Sequence, residues 1–295
     1  MTPPTVNWHI TYECNYRCSF CFFRAPSRES NDSIRLRISL EDAARLINLL
    51  ACAGVTRVNF AGGEPTLVKE FPDLVRLAHD SGMVTTVVTN GTGLNDSLLK
   101  RISPFISAIK ISIDSSSEGT EKYLGRGYGN HIRNAIMASE KVRARGIPLM
   151  MNTVVTKLNF NDDMHEIVSL IQPSRWKVFQ VLPIDGQNIS EFEMLKISEG
   201  EFNSFIRRHA DIPSMIPEDN DLMTDSYAMV DPYGRFFQNS GGRYSYSSSI
   251  LDVGVETAFS QLNFDKEKYL VRENGNHLFP PDSIRSVKIQ RGHVE

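Results

Sequence analysis

The chain has 295 residues, 23% of them charged and 41% hydrophobic, and a formal net charge of −3. This composition makes a folded globular chain the default, and the slight acidic excess argues against the broad basic surface of a nucleic-acid-binding protein. No apolar run of 18 residues and no cleaved-leader pattern occurs, so a soluble, cytoplasmic protein off the membrane is expected.

Strand-like runs rich in β-branched and aromatic residues occupy 5–11, 57–61, 84–90, 108–114, 148–155 and 175–182. Amphipathic helical stretches alternate with them. The stretch 39–54 has a Ser cap, early acids and a closing Gly; 71–82, 130–146 and 161–172 follow. Six β-α units in series predict a parallel sheet, doubly wound or curled into a full or partial barrel. From about residue 184 the rhythm breaks into Asp, Ser, Gly and Pro-rich connections with one good helix at 198–210. We therefore expect a core over 1–183 and an extension over 184–295 that caps the sheet and closes its site.

Side chains alternate across a strand, so each strand offers two faces. One face carries Val6, Trp8, Ile10, Val58, Phe60, Ile109, Ile111, Met151, Trp176 and Val178, and must meet the helices. The other carries Asn7, His9, Arg57, Asn59, Lys110, Ser112, Asp114, Asn152, Arg175 and Lys177. Burying such groups unpaired costs about 1–3 kcal/mol each. The inner face is expected to enclose a polar ligand.

Three of the four cysteines, Cys14, Cys18 and Cys21, fall within eight positions directly after the first strand. Neighbours this close cannot staple distant elements, which argues against a disulfide framework. Tetrahedral zinc needs a fourth ligand, whereas a four-iron cluster held by three thiolates keeps one iron open to a chelating molecule. Cys52, beside Leu49 and Leu50 on a helix, is expected to be ordinary core.

The CxxxCxxC spacing, with Phe20 and Phe22 flanking the last Cys, resembles the signature of the radical S-adenosylmethionine enzymes. The resemblance implies a [4Fe-4S] cluster on Cys14, Cys18 and Cys21 and S-adenosylmethionine on its open iron. Companion motifs match residue by residue. The "GGEP" segment places Gly62, Gly63 and Glu64 at the methionyl amine, its glycines expected to admit the ligand closely. Thr89 and Asn90, Ser112 and Asn152 match further cofactor contacts, and Arg126 in "GRGYGN" matches a partner for the cofactor carboxylate.

Beyond the superfamily, "VNWHITYECNYRCSFCF", "RWKVFQVLPIDGQN", "IPEDN", "DSY" and "SSSILDVGVE" resemble the viperin-like enzymes along almost the whole chain. That resemblance implies a partial (β/α)6 barrel of the radical SAM type with a C-terminal capping extension. It implies dehydration of a pyrimidine ribonucleoside triphosphate, UTP or CTP, to the 3′-deoxy-3′,4′-didehydro analogue, an antiviral chain terminator. The expected course is removal of the ribose 4′ hydrogen, loss of the 3′ hydroxyl as water and a one-electron reduction. Asn7, Arg57, Asn59, Arg175 and Lys177 match nucleotide contacts, and Tyr227 matches a tyrosine closing over the nucleotide, the candidate proton or electron donor. The chain departs from the pattern at Met150, where the family carries a lysine, and in its "VKIQRGHVE" ending. Lys110 is inward by parity but matches no role. A monomer served by an electron donor such as a flavodoxin or ferredoxin system is expected. Two alternatives stay open. One is a radical enzyme on another substrate, such as a GTP cyclase or peptide modifier, although the tail lacks the cysteines of an auxiliary cluster. The other is a non-catalytic iron–sulfur nucleotide-binding protein.

Overall fold

The computed structural model describes residues 2–25 and 37–274; the "VKIQRGHVE" ending lies outside the described residues. The six expected strands form, some trimmed by up to two residues: β1 (Thr5–His9), β2 (Arg57–Ala61), β3 (Val84–Thr89), β4 (Ala108–Ser112), β5 (Leu149–Val155) and β6 (Arg175–Gln180). All five neighbouring pairs are parallel and in sequential order, and the connections carry α1 (Leu40–Cys52), α2 (Phe71–Asp80), α3 (Asp96–Ile102), α4 (Glu118–Tyr123), α5 (His131–Arg143) and α6 (His165–Ile171). Helices α3 and α4, of seven and six residues, are too short for apolar periodicity to mark them in the sequence.

Helix α1 shows how sequence becomes packing. The Ser39 hydroxyl caps it by accepting from the Asp42 amide, and Ala43, Leu46, Ile47 and Leu50 form one buried stripe. Gly54, at φ 86°, ends it. Cys52 falls off that stripe and is exposed, not core. Against these helices the sheet buries Val6, Trp8, Val58, Phe60, Ile109, Ile111, Met151, Trp176 and Val178 to within a few per cent of complete exclusion from solvent. A buried Leu- or Ile-sized side chain contributes about 1.5–3 kcal/mol, so this face fixes strand register.

The tail differs from expectation. It does not simply cap the sheet; it lengthens it at both ends. Strand β7 (Met215–Glu218) adds in parallel to β6, while β8 (Met229–Val230) pairs in parallel with β1 and leads to the antiparallel β9 (Arg235–Ser240) and β10 (Arg243–Ser249). The ten strands run β10-β9-β8-β1-β2-β3-β4-β5-β6-β7, and the two end strands do not pair, so the sheet is an unclosed arc. These strands evade sequence reading because β8 has two residues and β10 reads "RYSYSSS". No helix among the described residues is long and apolar enough to cross a membrane.

Candidate active site

The cysteine loop leaves β1 and is held from two sides. Gly63 N–H donates to Thr11 O at 2.7 Å, and Glu64 N–H to Glu13 O at 2.7 Å. On the other side Arg17 N–H donates to Gly125 O at 3.1 Å and Ser19 N–H to Leu124 O at 2.8 Å. Glycine is required on both. A Cβ on Gly63 would lie 2.2 Å from Glu13 O, and one on Gly125, at φ 79°, would lie 2.2 Å from Arg17 O. The "GGEP" glycines therefore serve a second purpose: they admit the cysteine loop's own backbone.

The three thiols face one cavity of about 300 Å³. Burial pushes the Cys18 thiol up to about 12 and moves Cys14 and Cys21 upward too, so the protein by itself keeps them as thiols. Metal ligation needs thiolates, and three half-buried thiols raised by burial, which outweighs the nearby Arg126 guanidinium, suit a metal centre that brings its own positive charge. His9, the nearest imidazole in sequence, packs 4.1 Å from Phe23 and 5.3 Å from Phe237, centroid to centroid. Burial lowers it to about 3 and keeps it neutral.

The same cavity is lined by every residue expected at the cofactor: Gly62, Gly63, Glu64, Thr89, Asn90, Ser112, Arg126 and Asn152. Glu64 is fully buried. Its Oε1 accepts from Thr66 N–H at 3.1 Å, Thr66 Oγ1 at 2.6 Å and Thr89 Oγ1 at 2.6 Å, while Oε2 accepts only from Asn90 N–H, at 2.7 Å. Burial raises this carboxyl against those bonds. Its less occupied oxygen is the one suited to an ammonium. Asn90 reaches back to the cysteine loop through Asn15 Oδ1, 2.8 Å away. Arg126 is not idle: its Nε donates to Asp114, and Glu121 Oε2 lies 3.7 Å away. Any ligand carboxylate there would share the guanidinium with these acids. The crowding of Asp114 and Glu121, with burial the larger cause, raises Glu121 to about 8.

A second, smaller cavity lies toward the N-terminal ends of the strands and gathers Asn7, Arg57, Asn59, Arg175, Lys177 and Tyr227. Both cavities are lined by Asn7, Asn59, Lys110, Asn152, Lys177 and Tyr227, so they adjoin across these six side chains. Arg57 pairs with Glu273 at 3.1 Å, and Lys177 pairs with Glu218. Tyr227 Oη donates to Glu218 Oε2, while Lys177 Nζ is 3.5 Å from that hydroxyl and the Arg272 guanidinium stands 3.3 Å from the ring centroid. Burial holds the Tyr227 phenol well above its ordinary range.

Sequence reading missed Glu218, Arg272 and Glu273, and gave Lys110 no role. Arg272 and Glu273 come from the helix Lys266–Asn274, 216 positions from the Arg57 that Glu273 meets, and nothing local to either segment signals that meeting.

The comparisons with known proteins agree with this geometry. Residues 8–171 match the family described as the Radical SAM superfamily, whose members use a 4Fe–4S cluster and S-adenosylmethionine. The S-adenosylmethionine-dependent nucleotide dehydratase of Flammeovirga pacifica is 39% identical over 273 residues, covering 92% of this chain and 94% of its own. The S-adenosylmethionine-dependent nucleotide dehydratase RSAD2 of Oncorhynchus mykiss is 34% identical over 96% of this chain and 83% of its own. Among solved structures, native anSMEcpe with bound AdoMet and Kp18Cys peptide superposes with a TM-score of 0.66 at 15% identity, over 90% of this chain and 84% of that one. Streptococcus suis SuiB bound to S-adenosylmethionine gives 0.63 at 17% identity, over 91% and 67%. At such identity the two structures establish the fold alone. With its three clustered thiols, its unclosed parallel sheet and relatives matched along nearly their full length, the chain belongs to the radical S-adenosylmethionine superfamily and, within it, to the S-adenosylmethionine-dependent nucleotide dehydratases.

Proposed function

We propose that this dehydratase acts on a pyrimidine ribonucleoside triphosphate, UTP or CTP, and yields the 3′-deoxy-3′,4′-didehydro analogue. The observation that carries the reading is a thiol-lined cavity adjoining a cation-lined one, with six lining residues in common. Arg57, Lys110, Arg175, Lys177 and Arg272 face two carboxylates, Glu218 and Glu273, in an otherwise acidic protein. A triphosphate carries about four negative charges, and Arg and Lys are its usual donors.

When bound, the cluster and S-adenosylmethionine supply a carbon-centred radical able to take a hydrogen atom from the ribose. The chain's own residues bind and orient. Cys14, Cys18 and Cys21 would hold the cluster, and Glu64 the cofactor's ammonium. Arg57, Arg175 and Lys177 draw the phosphates to the far end, while Asn7 and Asn59 meet the nucleoside between. Tyr227 holds a proton at Oη, shared with Glu218, for the departing 3′ hydroxyl, and Arg272 and Lys177 stand where they offset the Glu218 carboxylate once a phenolate is left behind. Residues 1–183 serve as the catalytic core and 184–295 close the nucleotide site, consistent with Tyr227, Arg272 and Glu273 lining the cation cavity. We place the protein in the cytoplasm as a monomer served by a flavodoxin- or ferredoxin-type donor.

Anaerobically reconstituted protein, given dithionite, S-adenosylmethionine and each of the four ribonucleoside triphosphates in turn, is expected to form dehydrated product with UTP or CTP. Product from a purine nucleotide alone, or no cofactor cleavage with any of the four, would sink the reading. Tyr227→Phe is expected to cleave the cofactor at close to the normal rate while product falls by about 100-fold or more, the usual worth of a general acid. Unchanged turnover would remove Tyr227 from the reaction.

A further inference from the structure

Within the cation-lined cavity the cations are not equivalent. Arg57 and Lys177 already meet carboxylates, Glu273 and Glu218, so an incoming anion must compete for them. Lys110 donates to Asn59 Oδ1 at 3.0 Å, and no acid among the described residues pairs with it. An ammonium has three donors, so two remain for a ligand. Arg175 is 7% exposed, and its Nε and Nη2 are buried without a hydrogen-bond partner among the described residues. Leaving such donors unpaired is costly unless something binds there.

Their placement is as telling as their pairing. Strand register sets Lys110 on β4 opposite Met150 on β5, and Met150 opposite Arg175 on β6. All three line the same cavity. Adjacent strands lie about 4.8 Å apart, so the two cationic side chains leave the backbone roughly 10 Å apart, on either side of Met150. A chain of linked phosphates spans that distance.

We propose that Lys110 is a substrate-binding residue which, with Arg175 across Met150, receives the phosphates. The assignment rests on the nucleotide reading above. Burial, together with Lys177, Arg175 and Arg57, depresses the Lys110 ammonium to about 7. A bound polyanion relieves that repulsion, which is the behaviour of a site completed by its ligand.

The test is calorimetric binding of UTP, CTP and their monophosphates to the reconstituted holoenzyme and three variants. Lys110→Met and Lys110→Gln are expected to weaken triphosphate binding about tenfold or more, the effect of losing about 1.4 kcal/mol, and to weaken monophosphate binding far less. Glutamine keeps a donor for Asn59, so its loss isolates the charge. The double variant Lys110→Met with Met150→Lys moves the ammonium one strand over and is expected to return to within about threefold of the parent. Three results would overturn the assignment: parental affinity in both single variants, equal losses for tri- and monophosphate, or a double variant as weak as the single. A parent that binds neither UTP nor CTP would instead bring down the substrate reading, and this inference with it.

Discussion

Replacing Gly63 by alanine is expected to give a folded protein that no longer assembles its iron–sulfur centre. The new Cβ would sit 2.2 Å from Glu13 O and 2.5 Å from Glu13 C, and both are backbone atoms that cannot swing aside. Relief requires the two loops to part by about 1 Å, the gap to an ordinary contact. That movement strains the Gly63–Thr11 and Glu64–Glu13 hydrogen bonds, both 2.7 Å, and displaces Cys14, the residue after Glu13. Metal sites tolerate misplacement of only about 0.5 Å, and disturbing the groups that orient ligands costs about 10–100-fold in affinity. Iron per chain after anaerobic reconstitution should therefore fall to about a tenth or less of the parent's, with the far-ultraviolet circular dichroism preserved. Gly200→Ala is the control: its Cβ would meet nothing nearer than Ser198 Oγ at 3.8 Å, inside a helix where alanine is favoured. Full iron loading in Gly63→Ala would show that the loop contact does not position the thiols.

Glu64→Gln should have the next largest effect, although the two side chains share a shape. The carboxylate accepts four hydrogen bonds, three at Oε1 and one at Oε2. A glutamine offers one oxygen. Its amide nitrogen must face either the Asn90 N–H or the Thr66 and Thr89 donors, so at least one buried donor loses its partner, at a cost of about 1–3 kcal/mol. The charge that would face the cofactor's ammonium disappears as well. We expect S-adenosylmethionine to bind the reconstituted variant about 100-fold more weakly, a charge-assisted bond plus its orientation, and urea unfolding to show a loss of about 1–3 kcal/mol. Cofactor affinity within threefold of the parent would leave Glu64 a purely structural role, its hydrogen bonds to Thr89 and Asn90 tying residues 64–66 to the end of β3.

The polar face of the sheet is legible in the sequence because strand parity is local. Asn7, Asn59, Lys110, Arg175 and Lys177 alternate with Val6, Val58, Ile109, Trp176 and Val178, and apolar burial against the helices fixes which set points inward. The cysteine loop was legible because three ligands within eight residues are brought together by chain connectivity alone. Two things were not. The short strand β8 and the Ser- and Tyr-rich β10 carry no alternating apolar signal, and pairing with β1 and β9 makes them strands. Cys52 was misread because its neighbours Leu49 and Leu50 are apolar; the helical stripe through Ala43, Leu46, Ile47 and Leu50 turns it outward.

The sequence by itself determined the thiol triplet, the six parallel strands and the sign of charge inside the sheet, since each depends on spacing over a few residues. Tertiary structure decided how those cations are used. Glu218 and Glu273 are brought to Lys177 and Arg57 from 41 and 216 positions away, while Lys110 and Arg175 meet no acid among the described residues. Charge pairing depends on distance in space, and no local pattern encodes a meeting between residues so far apart along the chain.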